Sequence, residues 1–542
     1  MRPALISVQT FLSLELRLAP PTMEHLRGVQ QSRWWPFAAA FVVGASSALA
    51  FAPVNAWPLM LFAFALLFGL LRRAKSLKCA LLIGWLFGLG QFVIGLNWIA
   101  TAFTFQAAMP AWLGWIAVVL LSLYLAVYPM LAAGVAWRMG RGHPLAMAIA
   151  LAGAWAITEW LRAGIFTGFA WNPVGVILVP TPLLNLSTLV GTYGLSALVV
   201  LLSAAVWFEN FKRWAAVAVI LGTTLVLWLL PLSSVPETNL VIKPIRVIQP
   251  DIGQQDKWKP GYSDIAAERL ARLSSLPGGA HPRLLLWPEA AVTEPMQDQR
   301  GLPYSAFAEF ERRRAAASIG PGEYLLTGGI GLTSSDGVRV TAGTNSIYVL
   351  GQGGKIVARY DKAHLVPYGE YLPMRPLLSA IGLSRLAPGD VDFAPGPGPR
   401  TIHVPNWGRV GFQLCYEIIF SGHVVDSHDR PDFIFNPSND AWFGAWGPPQ
   451  HLAQARLRAA EEGIPVIRST PTGISAVIDA NGQVRNYVGW KGTGVIDAAI
   501  PPAATKTTPF ARLGNIIPLA LGFALLILAI VLERRGRYRT NI

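Results

Sequence analysis

The chain has 542 residues, 53% of them hydrophobic and only 14% charged, with a mean hydropathy of +0.43. That composition excludes an ordinary soluble domain and a disordered chain, and places at least part of the polypeptide in a membrane. The net charge of +14 does not mark a nucleic-acid binder: residues 240 to 510 hold 26 Lys/Arg against 24 Asp/Glu, while the other 18 basic residues accompany only 6 acidic ones in the apolar remainder.

Residues 1–33 are polar and irregular and read as a cytoplasmic N-terminal tail, with Met23 offering a second start. They lack the short apolar core and small-residue cleavage site of a signal peptide, so the first span is read as an uncleaved anchor. Apolar runs of spanning length, about 17 to 25 residues, occur at 36–54, 56–71, 79–100, 111–137, 145–163, 185–206, 214–233 and 514–532. The second is short, and "GTYG" interrupts the sixth. A membrane domain over 34–235 with about seven transmembrane helices is predicted, followed by a C-terminal transmembrane helix at 514–532 and a cytoplasmic tail at 533–542. Arg72, Arg73, Lys75 and Lys78 follow the second run, Arg138 and Arg141 the fourth, Lys212 and Arg213 the sixth, and Arg534, Arg535, Arg537 and Arg539 the eighth. With Arg2, Arg17, Arg27 and Arg33, 16 of the 18 basic residues fall on one side, leaving Arg162 and Arg512 on the other. The positive-inside rule then puts both termini in the cytoplasm and the long segment before the last span outside. Glu159 and Arg162, one helical turn apart, read as an interfacial ion pair or a headgroup contact.

The outer segment, 240–505, alternates short strands with helices and reads as one α/β domain. Strands are predicted at "IRVIQPD", "PRLLLWPEA", "EYLLTGGIG", "TNSIYVLG", "KIVARYDK", "RVGFQLCYE", "DFIFNPSND", "IPVIRSTPTG" and "SAVIDANGQV", and helices at 263–276, 303–318 and 448–462. "GQGG" at 351–354 and "NG" at 481–482 mark hairpin turns. Arg312 to Arg314 form a local basic patch on a helix, either solvated or against anionic headgroups.

Three strand ends carry reactive groups. Glu289 closes "LLLWPEA", where partial burial suits a general base. Lys362, in "RYDKAHLVPYGEYLP", would lower the pKa of a nearby thiol and hold an oxyanion. Cys415, in "GFQLCYE", is a candidate nucleophile. Taken singly, each has a plainer reading: an exposed carboxylate, a solvated lysine, a small buried thiol. Acyl transfer through a thiol needs a base, a cation or N–H groups for the oxyanion, and a thiol on a sharp turn, and the chain supplies the side chains in that order on separate strand ends. The second cysteine, Cys79, lies over 300 residues away in an apolar run, so a disulfide is not expected.

"LWPEA", "YDKAHLVPYGEYLP" and "GFQLCYE" resemble the three catalytic blocks of the carbon-nitrogen hydrolase (nitrilase) superfamily, whose members place a Glu-Lys-Cys triad on a four-layer sandwich. Such a domain set between the last two of eight spans resembles the apolipoprotein N-acyltransferase family of bacterial inner membranes, over about residues 34–535 and including "EWLRAGIFTGFAWNPVG" at 159–175. The resemblance implies a multi-span α-helical membrane domain plus an α/β nitrilase-like four-layer α-β-β-α sandwich, the latter periplasmic. It makes Glu289 the general base, Lys362 the oxyanion cation and Cys415 the nucleophile, adds Glu370, Tyr416 and Glu417 as supporting residues, with the Tyr416 N–H completing the oxyanion hole, and puts Trp258 of "QQDKWKP" at the substrate entrance. Ala170 stands where the family often has proline, a departure expected to be remote from the chemistry.

The implied reaction is a two-step transfer. An acyl chain passes from a phospholipid to the thiol and then to the α-amine of the S-diacylglyceryl cysteine of an apolipoprotein. The implied partners are the phospholipid donor, the apolipoprotein acceptor and membrane lipids; the distribution of charge predicts no nucleic acid and the spacing of the histidines no metal, no cofactor is expected, and the oligomeric state, with a monomer favoured, is not fixed by the sequence. Segment 365–380, apolar and aromatic, has the character of a lid over the thioester. The alternatives are a membrane-tethered amidase or nitrilase with water as acceptor, and a non-catalytic membrane scaffold.

Overall fold

The computed structural model describes residues 34–105, 109–207, 243–257, 259–380, 382, 384–386 and 391–540. Within these, seven of the eight apolar runs coincide with helices: α1 (Trp35–Ser47), α2 (Pro58–Arg73), α3 (Leu77–Gly95), α4 (Leu113–Leu125) running into α5 (Val127–Gly140), α6 (Pro144–Gly164), α7 (Ser187–Trp207) and, far along the chain, the helix at Ile516–Thr540. The run at 214–233, with Lys212 and Arg213, lies outside the described residues, as do the N-terminal tail and Trp258. Among the described residues, five stretches are long and apolar enough to cross a bilayer: Leu77–Gly95, Leu113–Gly140, Pro144–Gly164, Pro182–Trp207 and Ile516–Gly536.

Local chemistry sets the ends. Ser76 caps α3 by accepting from the Cys79 N–H at 3.3 Å, and His143 Nδ1 does the same for Ala146 at the start of α6, where Pro144 fills the first helical position. "GTYG" breaks α7 at Gly191, whose φ of 65° is open to glycine and where a Cβ would sit 2.2 Å from the Phe510 ring. The basic connections meet at one end of the bundle: Trp137 Nε1 donates to Ala74 O at 3.0 Å, and the Gly142 N–H to Glu533 Oε1 at 3.1 Å.

The α/β part contains two sheets. One runs β13-β1-β2-β4-β5-β6 with β3 beside β4, and the other β12-β11-β10-β9-β8-β7. Their strands are β1 (Pro244–Gln249), β2 (Leu284–Leu286), β3 (Pro295–Asp298), β4 (Tyr324–Thr333), β5 (Ala342–Leu350), β6 (Ile356–Asp361), β7 (Thr401–Val404), β8 (Gly408–Phe412), β9 (Phe433–Pro437), β10 (Val466–Ser469), β11 (Ser475–Ile478), β12 (Val484–Val488) and β13 (Gly494–Ala499). Alternation along the strands builds the layers. Ile245, Val247, Leu284 and Leu286 meet Phe412, Phe433, Phe435 and Ile467 between the sheets. Ile248 and Leu285 face the other way, toward α8 (Tyr262–Ser274) and α9 (Tyr304–Ala316). On the far side, Ile434 and Val466 pack on α10 (Gly447–Glu462), which completes the α-β-β-α order, and the helix at Ile516–Thr540, α11, returns to the membrane part.

The second face of α10 is covered too. Leu457 and Ala460 belong to the same apolar core as α2, α6 and α7, so the outer layer of the sandwich is pressed against the membrane helices. A buried polar cluster fixes this junction: Thr192 of α7 donates to Glu461 Oε1 at 2.5 Å, Arg458 donates to Thr192, and Ser421 donates to Glu461 at 3.0 Å.

All nine predicted strands and the three helices of the outer segment are present, and both turns join antiparallel neighbours. Sequence reading missed β3, β7, β12 and β13. Strand β13 has little alternation of its own and exists because it pairs along all of β1, some 250 residues earlier.

Candidate active site

Cys415 stands at the turn after β8, in the left-handed region at φ 53°. Two side chains hold its carbonyl oxygen there: His451 Nε2 at 3.1 Å and Asn436 Nδ2 at 3.4 Å. Glu289 follows β2. The Trp287 N–H donates to Leu326 O at 2.9 Å, and Gly328 lies so close beneath that a Cβ there would come within 2.6 Å of Glu289 Cα. Lys362 directly follows β6, its N–H donating to Asn345 O at 2.9 Å. The fold brings all three into one buried cluster, with exposures of 6% for Glu289, 1% for Lys362 and 5% for Cys415.

Inside it, Lys362 Nζ lies 3.0 Å from the Glu370 carboxylate and 3.9 Å from Glu289 Oε1. Asn345 Nδ2 donates to both carboxylates, at 2.8 Å to Glu289 and 2.7 Å to Glu370. The Asn439 N–H donates to Glu289 Oε2 at 2.6 Å and also faces the Cys415 sulfur. Glu370, in turn, accepts from the Val366 N–H at 2.8 Å. Glu417 joins the two halves: it accepts from Leu414 N at 2.7 Å, Ala363 N at 2.7 Å, His364 N at 3.0 Å and the Tyr360 hydroxyl at 3.0 Å. The turn carrying the cysteine is thereby tied to the strand end carrying the lysine.

Electrostatics differ from expectation at the thiol. Burial pushes Cys415 well above the usual cysteine range, the Glu289 charge adds to this, and the pull of Lys362 does not offset them. The resting sulfur is a thiol. Lys362 is held above the usual lysine range, because Glu370 and Glu289 outweigh its own burial, and stays charged. Lys257, two turns of chain from β1, is buried, donates to Glu289 O at 3.4 Å and is pulled down to about 8 by desolvation.

Tyr416 points away from this cluster toward the membrane part, its hydroxyl donating to Gly168 O at 3.4 Å and its ring near Phe169. The loop around Ala170 is therefore not remote from the chemistry: it packs on the residue that follows the nucleophile candidate. Glu159 and Arg162 hold this loop by separate bonds, Glu159 Oε1 accepting from Val174 N at 2.8 Å and Arg162 Nη1 donating to Trp171 O at 2.9 Å, so backbone anchoring replaces the interfacial pair expected for them. Segment 365–380 turns Glu370 inward and leaves Tyr368, Met374 and Leu377 exposed. Cys79 and Cys415 are both free thiols.

Sequence reading missed Asn345, Asn439, Lys257 and His451. Asn345 and Asn439 had as their only signal a polar side chain within or just after an apolar strand, in "TNSIYVLG" and "DFIFNPSND", and Lys257, in a turn, and His451, on α10, had not even that.

A family profile for the apolipoprotein N-acyltransferase N-terminal domain matches residues 43–205, and one for carbon-nitrogen hydrolase matches 265–510. A solved structure of Saccharomyces cerevisiae Nit3, of the nitrilase superfamily, aligns at 17% identity with a TM-score of 0.35, covering 49% of this chain and 93% of that one. Similar full-length proteins are the apolipoprotein N-acyltransferases of Rhodopseudomonas palustris, 33% identical with coverage of 93% of this chain and 96% of the relative, and of Bradyrhizobium diazoefficiens, 34% identical with coverage of 92% and 95%. On the strength of that identity along nearly its whole length, the chain belongs to the apolipoprotein N-acyltransferase family.

Proposed function

We propose that this chain N-acylates lipoproteins through a thioester on Cys415. Glu289 takes the proton of the Cys415 thiol, and the sulfur attacks the ester carbonyl of a phospholipid. Lys362 and the backbone N–H of Tyr416 hold the oxyanion. The ester oxygen leaves as the hydroxyl of a lysophospholipid, reclaiming the proton from Glu289. In the second step the α-amine of a diacylglyceryl cysteine attacks the thioester, Glu289 takes the proton lost by nitrogen, and it passes to the departing sulfur. An amide and the free thiol result. Glu370 and Asn345 keep Lys362 and Glu289 aligned, and Trp258 helps the substrate enter, a role that rests on the family resemblance of "QQDKWKP".

The observation that carries this reading is the convergence of Glu289, Lys362 and Cys415 in one water-poor cluster whose turn is pressed on the membrane loop at 168–171. A resting thiol suits it, because proton transfer to Glu289 then accompanies attack instead of leaving a standing thiolate. The protein is a membrane protein. Its catalytic domain, 240–505, lies on the periplasmic side with both termini cytoplasmic, a topology supported by the gathering of Arg72, Arg73, Arg138, Arg141 and Arg534 toward one end of the bundle.

The test is intact-protein mass spectrometry after mixing with phospholipid. An acyl adduct on Cys415, released by hydroxylamine and transferred to a diacylglyceryl cysteinyl peptide, is expected. No adduct, or an adduct that yields only free fatty acid, overturns the proposal.

A further inference from the structure

Beneath the site lies a polar cluster that the reaction steps do not use. Arg468, on β10, and Asp440 and His451 are 0%, 1% and 0% exposed. Arg468 Nη2 donates to Asp440 at 2.6 Å and lies 3.0 Å from His451 Nδ1, while Nη1 donates to Asn436 Oδ1 at 2.5 Å and Ser438 Oγ at 2.9 Å. Asp440 Oδ1 is 2.9 Å from His451 Nδ1. One guanidinium thus fixes three side chains of the stretch 436–440, the stretch that also carries the Asn439 N–H bound to Glu289 Oε2.

We propose that Arg468, Asp440 and His451 form a positioning unit that sets nucleophile and base at their working separation, with the His451 Nε2–H fixing the backbone of Cys415. The carbonyl of Cys415 can only accept, so Nε2 must carry the hydrogen. Nδ1 lies between Asp440 Oδ1 and Arg468 Nη2, at 2.9 and 3.0 Å, and burial together with the Arg468 charge pulls the imidazole below its usual range against the opposing pull of Asp440. Of the two side-chain bonds to the Cys415 carbonyl, that of His451 is the shorter, and the weaker partner, Asn436 Nδ2, is itself held by Arg468 through its oxygen. The same stretch thus grips the nucleophile through its carbonyl and the base through its carboxylate. A left-handed φ at a residue with a side chain is strained, and these bonds hold it in place. The Trp171 ring, from the membrane loop, sits 5.2 Å from the imidazole and closes it off.

This inference rests on the proposed thioester chemistry, and its test separates the two. His451→Leu and His451→Gln are prepared in the full-length protein with Arg468→Lys as an independent variant, and each is followed by two readouts: acylation of Cys415 by phospholipid in a single turnover, and alkylation of Cys415 by iodoacetamide. His451→Leu is expected to lower the acylation rate on the order of a hundredfold, the usual cost of a displacement near 1 Å, with KM for phospholipid unchanged. His451→Gln, which keeps an N–H, recovers most of the rate, and Arg468→Lys is slowed with KM unchanged. Alkylation of Cys415 follows the same order. Wild-type rates in His451→Leu overturn the unit, as does a loss shared by KM and kcat that glutamine does not rescue. If the wild type forms no adduct, the thioester reading fails, and the alkylation order alone still decides the positioning role.

Discussion

Replacing Glu417 by Gln changes one atom and tests how the site is held together. In the wild type every neighbour offers hydrogen to this carboxylate: three backbone N–H groups and the Tyr360 hydroxyl. A glutamine can turn its oxygen toward Ala363 and His364, and its NH2 then confronts the Leu414 N–H and leaves that donor unpaired. An unpaired buried donor costs about 1 to 3 kcal/mol, and loss of charge from the two remaining backbone bonds adds about 0.5 to 1.5 kcal/mol each, together roughly 2 to 6 kcal/mol. Leu414 precedes Cys415 directly, so the displacement falls on the turn of the proposed nucleophile, and acylation should slow on the order of a hundredfold. The assays are the unfolding midpoint of the detergent-solubilised protein and single-turnover acylation by phospholipid. A Glu417→Gln protein that melts and acylates like the wild type would refute the reasoning.

Lys362→Met leaves Glu289 and Glu370 without the cation beside them and removes the proposed oxyanion donor. Adduct formation should fall about 10²- to 10³-fold, and a loss under tenfold counts against that role. Because burial and Glu289 raise Cys415, the neutral thiol persists to higher pH than usual. Iodoacetamide labelling should therefore climb steadily above pH 8, and a plateau reached below pH 8 contradicts the direction of the shift. Asn345→Asp sets a third carboxylate against two, with loss of acylation and a lower unfolding midpoint expected, and unchanged values of both would remove Asn345 from the site. Cross-linking a cysteine introduced at Met374 to a fixed neighbour should slow turnover if segment 365–380 opens, whereas an unchanged rate means that it does not.

The layered core was legible because β1, β2 and β10 are short, largely apolar runs bounded by Pro, Gly or Asp, and so was the position of Cys415, whose strand ends in a turn that its neighbours enforce. What stayed hidden depends on distant partners. Asn345 reads as any polar residue in a strand until folding sets Glu289 and Glu370 on either side of it. The thiol was misjudged for the same reason: proximity of Lys362 could be guessed, but the dryness that outweighs it is a property of the assembled layers. Glu159 and Arg162 looked like an ion pair by spacing alone, and the loop backbone that occupies each of them lies 9 to 15 residues further on.

Helix α10 belongs to two bodies at once, and this imposes a chronology on biogenesis. Its inner face completes the sandwich, while Leu457, Ala460 and Glu461 on its other side need α7 to cover them. Until the bilayer has received the spans, that face has no cover, and the imidazole it carries lacks the lid supplied by Trp171. The proposed chemistry would therefore switch on last, after insertion, so that a nascent chain would not form the proposed thioester far from its lipid. Protease resistance of residues 447–462 that appears only once the chain is integrated in membranes would mark that order, and resistance in a chain never exposed to lipid would argue against it.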